Sequence, residues 1–185
     1  MNFGLLVLRF VVGGVFVAHG IQKLTTKLDG HGVEGTAAMM DSLEMKPAKQ
    51  NALAAGWAET GGGAAIALGA ATPVAAVGLI ATMITAIRKV HVKNGPWNAA
   101  GGFEYNAVLI AAVTAITAAG PGAVSLDAAF GKRTWGARAG ILALVLGAAG
   151  STAAVALGRR AGSPSSGTDA QGENAQPGDQ AGADS

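Results

Sequence analysis

Long apolar runs alternate with short polar breaks along this chain. Five runs are long enough to cross a bilayer as helices, at roughly 20 residues each. They cover about 3–24, 50–71, 74–93, 104–121 and 137–158. Ala richness favours helix, and none of the runs shows the period-2 alternation of a barrel strand. A helix also satisfies its backbone groups internally, as lipid demands. The second run, "QNALAAGWAETGGGAAIALGAA", is the weakest, because it holds Glu59 and many glycines. Pro73 marks a very short turn into the third. The pattern predicts an all-α polytopic membrane helix bundle: a four-helix core over 1–130, plus a fifth C-terminal transmembrane helix within 131–160. Residues 161–185 would form a disordered acidic tail. The first run could also be read as a secretory signal. Nothing basic precedes it, it exceeds an ordinary signal core, and "VFVAHG" is a poor cleavage site, so a retained helix is expected.

The longest connection, residues 25–49, contains "GTAAMMDSLEMKP". Its pattern predicts a short amphipathic helix with Thr36 as N-cap and Pro47 ending it. Met39, Met40 and Leu43 share one face, to rest on the membrane surface or cap the bundle. From Gly162 onward the chain has four acidic residues, no basic ones and no aliphatic side chain larger than Ala. Such a segment cannot bury a core.

Polar residues inside the apolar runs are the informative exceptions. An ionisable group in a span costs a few kcal/mol on insertion scales, so it faces a bundle interior or a cavity (~3 kcal/mol at the centre). At 100° per residue, Arg9, Phe16, His19 and Lys23 fall within about 80° of one helix surface. Gly13 and Gly20 share that side and would let a neighbour approach closely. At about 1.5 Å per residue, Lys23 lies at the rim and His19 roughly 8 Å inside it. Glu59 enters from the same rim and reaches mid-membrane, and Arg9 lies beyond the centre. The depths predict a buried Arg9–Glu59 pair that pins the two helices. His91, Glu104 and Tyr105 fall at the same rim as His19 and Lys23. The cluster is expected either to relay protons or hold a polar head group, or simply to be wetted interfacial residues. Glu104 would also favour the N-terminus of its own helix.

Composition narrows the chemistry. Half of the 185 residues are hydrophobic and only 13% are charged, too apolar for an ordinary soluble domain. There is no Cys, which excludes thiol redox chemistry, thiolate metal sites and disulfides. His19 and His91 carry no spaced motif for a metal or haem, so no metal is assigned. His31, in a Gly-rich loop, reads as solvated. The glycine clusters follow no strand and lack the Lys-Ser/Thr of a phosphate loop. The net charge of +2 forms no basic stripe, so no nucleic acid is implied. Near the helix ends, nine basic residues (Lys23, Lys27, Lys46, Lys49, Arg88, Lys89, Lys93, Arg159, Arg160) gather on one side. Three (Lys132, Arg133, Arg138) gather on the other. By the positive-inside rule the N-terminus lies outside and the C-terminal tail in the cytoplasm. Trp57, Trp97 and Trp135 are expected as interfacial anchors. The turn "AAGPGAVSLDAAFGKR" is expected to end in a short helix capped by Ser125 to Asp127.

Together, "LRFVVGGVFVAHGIQKL", "AETGGGAAIALG", a His ending the third helix, "GGFEYNAVLIAAV" and "GPGAVSLD" resemble the DoxX family of small bacterial membrane proteins, over about residues 3–130. Arg9, His19, Gly20 and Lys23 match the family's first-helix pattern, and Glu59, Gly62 and Gly63 its second. His91, Glu104 and Tyr105 match the third and fourth, and Gly120, Gly122, Ser125 and Asp127 the closing turn. The resemblance implies a four-helix protein of the bacterial inner membrane. Some members are linked with membrane redox complexes, including quinone-coupled thiosulfate oxidation. It brings no catalytic set, so these positions carry over as candidate functional residues only. The expected role is a subunit or adaptor of a redox or oxidative-stress complex, with quinone bound at the polar cluster. Tyr105 and His91 would hydrogen-bond a carbonyl, and Glu104 or Glu59 would exchange a proton. The alternatives are transport of a small solute or proton, or a structural scaffold without activity. Partners would be the lipid bilayer, redox-enzyme subunits and, through Gly and Ala faces, a second copy of the chain.

Overall fold

The computed structural model describes residues 3–162. Seven helices account for the fold, with no strand among the described residues. They are α1 (Phe3–Leu24), α2 (Gly32–Ser42), α3 (Ala48–Leu68), α4 (Thr72–Ala86), α5 (Glu104–Ala119), α6 (Leu126–Ala129) and α7 (Ala137–Gly162). The helix of α4 runs on through a π turn, Ile87–His91, and a 3₁₀ turn, Val92–Asn94. Three helical stretches are long and apolar enough to cross a membrane: Phe3–Leu24, Thr72–Asn94 and Ala137–Gly162. Glu104–Ala119 is a shorter apolar helix. The 21-residue α3 forms where expected, but Glu59 and its glycines lower its hydropathy.

The long helices run up and down. Helices α1 and α3 are antiparallel and nearly touch, because glycines line the crossing. A Cβ on Gly13 would lie 2.5 Å from the Gly63 carbonyl oxygen, and one on Gly20 would lie 2.5 Å from the Thr60 amide nitrogen. No side chain larger than hydrogen fits there, as the sequence spacing implied. Helix α7 lies parallel to α4: Gly147 packs on Ile80, and the Thr85 hydroxyl donates to Ser151 Oγ at 2.9 Å. Its buried stripe is small throughout most of its length, including Gly140, Ala143, Gly147, Ser151 and Gly158. The apolar core lies between α1, α3, α4, α5 and α7, around Phe16, Ile66, Leu79, Ile80, Val113 and Ile116. Outward-facing Val, Leu, Ile and Phe of α1 and α7 are exposed, as suits helices solvated by lipid.

This threading gives the bundle two chemically different ends. The C-termini of α1, α4 and α7 and the N-termini of α3 and α5 meet at one end, with α2 laid across it. That basic end carries the nine Lys and Arg residues. The opposite turn end holds the α3–α4 turn, α6 and the start of α7.

Two local expectations need correction. Thr36 is not an N-cap. It lies inside α2, buried, with its hydroxyl donating to the Lys23 carbonyl at 3.1 Å, and His31 stands at the cap position. Pro47 does not end α2, which stops at Ser42; it caps α3 instead. Trp57 is exposed on α3, at the level of Ile21 near the basic end. The acidic tail expected over 161–185 begins after a helix that continues to Gly162, and from residue 163 it lies outside the described residues.

Candidate functional site

At the turn end, two charged residues are each held by four hydrogen bonds. Arg9, buried, donates from Nε to the Ile66 carbonyl at 3.2 Å and from Nη2 to the Ala67 carbonyl at 2.8 Å. Its Nη1 donates to the carbonyls of Val124, at 2.9 Å, and Pro121. The guanidinium thus neutralises the negative end of α3 and clamps it to the α5–α6 connection. The predicted Arg9–Glu59 pair does not form. The helix crossing sets Gly20 against Gly56 and Thr60, and Gly13 against Gly63 and Ala67. That register puts Glu59 level with His19, and Arg9 level with Gly69. Arg9 and Glu59 are therefore separated by ten residues of α3, about 15 Å.

Ser125 caps α6 as expected, accepting from the Ala128 amide at 3.1 Å. Asp127 reaches across to the start of α4. Its Oδ1 accepts from the Ala71 amide at 2.7 Å. Its Oδ2 accepts from the Thr72 amide (3.1 Å), the Thr72 hydroxyl (2.8 Å) and Trp135 Nε1 (3.2 Å). Burial pushes the Asp127 carboxyl up, but these four hydrogen bonds outweigh it and hold it below the usual carboxylate range. Arg9, Ser125 and Asp127 therefore have structural partners at one end of the molecule and do not join the polar cluster.

The basic end is different. Between α1, α2, α3, α4, α5 and α7 lies a cavity of about 480 Å³. His19, Lys23, Glu59, His91 and Tyr105 line it together. The buried Glu59 receives a hydrogen bond from Lys23 Nζ at 2.5 Å, so its charge is compensated within the wall. His19 Nε2 and the Tyr105 hydroxyl are 3.3 Å apart, with the rings edge to face at 5.9 Å. His91 sits on the π turn, an extra residue per turn that re-aims side chains and recurs at functional sites. Its Nδ1 lies 2.8 Å from the Gly101 carbonyl. A carbonyl only accepts, so Nδ1 carries the hydrogen and, in the neutral ring, Nε2 bears the lone pair.

Glu104 stands outside this wall. It opens α5, and its Oε1 accepts from the Asn98 amide at 2.9 Å, bracing the loop between the 3₁₀ turn and α5.

Sequence reasoning missed two features of the chamber. Asn106, buried, lines it with its amide nitrogen 3.4 Å from Met83 Sδ. A polar residue inside an apolar run was the available signal. The other is the methionines. Met39, Met40, Met45 and Met83, all of those described, line this one cavity. The shared face of Met39, Met40 and Leu43 was legible, but its target was not. Among the described residues no group of three or more His, Asp or Glu could hold a metal ion.

The fold and the chamber define a class: a polytopic helical membrane protein with a polar-walled pocket at one end. Residues 4–92 match the DoxX family model, which marks that stretch as a DoxX-type region. The match covers α1 to the π turn, with Arg9, His19, Lys23, Glu59 and His91, and stops before Glu104, Tyr105, Ser125 and Asp127. No curated protein and no solved structure matches the chain.

Proposed function

We propose that the chamber holds the head group of a lipid-soluble quinone-type carrier, and that the protein serves as a subunit or adaptor of a membrane redox assembly. One observation carries this reading. The cavity has the size of a small-molecule site, within the ordinary range of roughly 300–1,000 Å³. Its wall combines a few convergent polar groups with an apolar, methionine-rich remainder. Such a wall fits a planar polar head on a flexible apolar tail. Tyr105, His19 and His91 would orient the head. The Lys23–Glu59 pair keeps that part of the wall near neutrality, which suits an uncharged ligand. Glu104, engaged with the Asn98 amide, leaves Glu59 as the carboxylate that can exchange a proton with the chamber. When bound, such a carrier would supply two-electron chemistry that the chain's own residues lack.

The test is binding of a short-tailed quinone to protein in lipid nanodiscs, measured by calorimetry. Gly78 lines the chamber, and a Cβ at that position would meet nothing within 4 Å, so Gly78→Leu is the substitution chosen to narrow the space. One ligand per chain is expected in the wild type and none in Gly78→Leu. Equal uptake by both proteins would mean mere partition into lipid and would sink the reading.

We further propose that α3 and α5 cross the bilayer with the other three long helices, and that the basic end faces the cytoplasm of a bacterial inner membrane. The nine-to-three bias of basic residues supports this orientation. The chain has no Cys, so single cysteines report topology directly. In spheroplasts, an impermeant maleimide should label Lys132→Cys and spare Ser42→Cys; the reverse pattern would invert the orientation.

A further inference from the structure

We infer that the chamber binds the head of its ligand as an anion, with Lys89 as the counter-ion. This rests on the chamber being a head-group site and specifies the charge of the head it takes: an acidic enol or phenol held as its oxyanion. The charges of the wall carry the inference. The ionisable groups lining the chamber are His19 and Lys23 from α1, Glu59 from α3, Lys89 and His91 from the π turn, and Tyr105 from α5. Helices α2 and α7 line it only with Met39, Met40 and Ala154, which carry no charge. Glu59 is matched by Lys23. His19 and Tyr105 meet each other, and His91 meets the Gly101 carbonyl. Lys89 is different. It is partly buried, and its side chain has no hydrogen-bond or ion-pair partner among the described residues. With the histidines neutral, two ammonium groups face one carboxylate, so the wall has one positive charge in excess.

The sequence sets Lys89 in that place. Gly78, Thr82, Thr85 and Lys89 follow one another at spacings of three or four residues, and all line the chamber. Lys89 therefore ends the chamber-facing stripe of α4 and its π turn. The adjacent Arg88 instead donates to the Thr152 hydroxyl of α7 at 3.0 Å. A charge withdrawn from water is ordinarily paired, and an oxyanion beside Lys89 supplies the missing partner. The same wall offers further donors to that oxygen: the Tyr105 hydroxyl and the side-chain amides of Asn98 and Asn106. A carrier moves through lipid in its neutral form. In the chamber its acidic hydroxyl gives its proton to water, the electron pair of the O–H bond stays on oxygen, and the oxyanion remains beside Lys89. An opposite charge within about 4–6 Å lowers the pKa of an acid by about 1–3. The Lys23–Glu59 pair stays a balanced part of the wall, and Lys89 sets the protonation state of the head.

The experiment titrates a coloured acid, a decyl-substituted 2-hydroxy-1,4-naphthoquinone, whose absorbance reports its enolate. The whole chain is used in phosphatidylcholine nanodiscs, with empty nanodiscs as the reference. Bound to the wild type, the probe should be half deprotonated at a pH at least about one below that in empty nanodiscs, so that enolate binds at least about tenfold more tightly than enol. Lys89→Met should return the midpoint to within about 0.3 of the reference, and Lys89→Arg should keep most of the shift. Lys93→Met removes an exposed charge of the same end that does not line the chamber, and should leave the shift unchanged. The methyl ether of the probe cannot ionise, so Lys89→Met should change its affinity by less than about threefold. A probe that binds once per chain but titrates as in empty nanodiscs would overturn the inference while leaving a head-group site standing. A shift that survives Lys89→Met would overturn it equally. If neither probe binds above the level of Gly78→Leu, the head-group reading falls with it. The wild type against empty nanodiscs decides the matter even where a variant does not fold.

Discussion

The two ends of this bundle use the same kinds of residue for opposite purposes. At the turn end, Arg9 donates to four backbone carbonyls, and Asp127 accepts from two backbone amides, the Thr72 hydroxyl and Trp135 Nε1, so both tie separate segments of chain together. At the basic end, Lys23, Glu59, His19, Tyr105 and His91 bond one another or a single carbonyl and still line a cavity. A buried charge marks something important in either case, but what it marks depends on who its partners are. The backbone partners of Arg9 make a clamp, whereas the side chains bonded to one another at the basic end wall a chamber.

Breaking the clamp should have the largest effect. Arg9→Leu leaves buried carbonyls of α3 and the α5–α6 connection without donors, at a cost of about 4 kcal/mol if each loses about 1 kcal/mol. No second substitution can rescue it, since the partners are backbone. Arg9→Lys should recover only part, because an ammonium lacks the planar fork. Denaturant titration of the detergent-solubilised protein checks both, and an Arg9→Leu protein of wild-type stability would remove the contrast. The ion pair at the other end should behave differently. Glu59→Leu alone strands Lys23 beside an apolar wall and should cost about 3 kcal/mol, whereas Lys23→Met with Glu59→Leu should cost about 1 kcal/mol or less. A strictly additive double mutant would mean the pair is as irreplaceable as the clamp.

Acid separates the two ends further. The Asp127 carboxyl is held below its ordinary range when folded, so its hydrogen bonds contribute stability fully above the unfolded value. That stability is lost as pH falls through the lower, folded value. The melting temperature should drop below about pH 4 in the wild type, and Asp127→Asn should show a flatter acid limb from a lower plateau. The smallest structural effect belongs to Tyr105→Phe, which gives up one hydrogen bond of about 1 kcal/mol or less. Its melting curve should barely move while head-group affinity falls by about tenfold. A proportionate loss of stability would recast Tyr105 as structural.

Much of the chamber was legible in advance because helical periodicity and depth are local properties. His19 and Lys23 share a face of one helix whatever surrounds it, and the rims of successive helices alternate by topology alone. Four of the five rim residues expected to meet, His19, Lys23, His91 and Tyr105, do line one cavity together with Glu59. The ion pair was misassigned because depth along a helix says nothing about register between helices. Here glycine contacts set that register, bringing Gly20 to Gly56 and Thr60 and carrying Arg9 to the far end of α3. Glu104 shared the right depth but was claimed by the Asn98 amide, a loop contact that no periodicity reports.

The helices, the bilayer as their solvent, the up-and-down threading and the gathering of basic residues at one end are all written in the linear chain. They follow from segment length, hydropathy and period, each readable one segment at a time. Which charges became a clamp and which a pocket wall was settled by packing in three dimensions. So was the meeting of four scattered methionines around one space, with Asn106 among them. The reason is geometric. Partner choice at a few ångströms depends on the crossing of packed helices, and that crossing is set by close glycine contacts far apart in the chain.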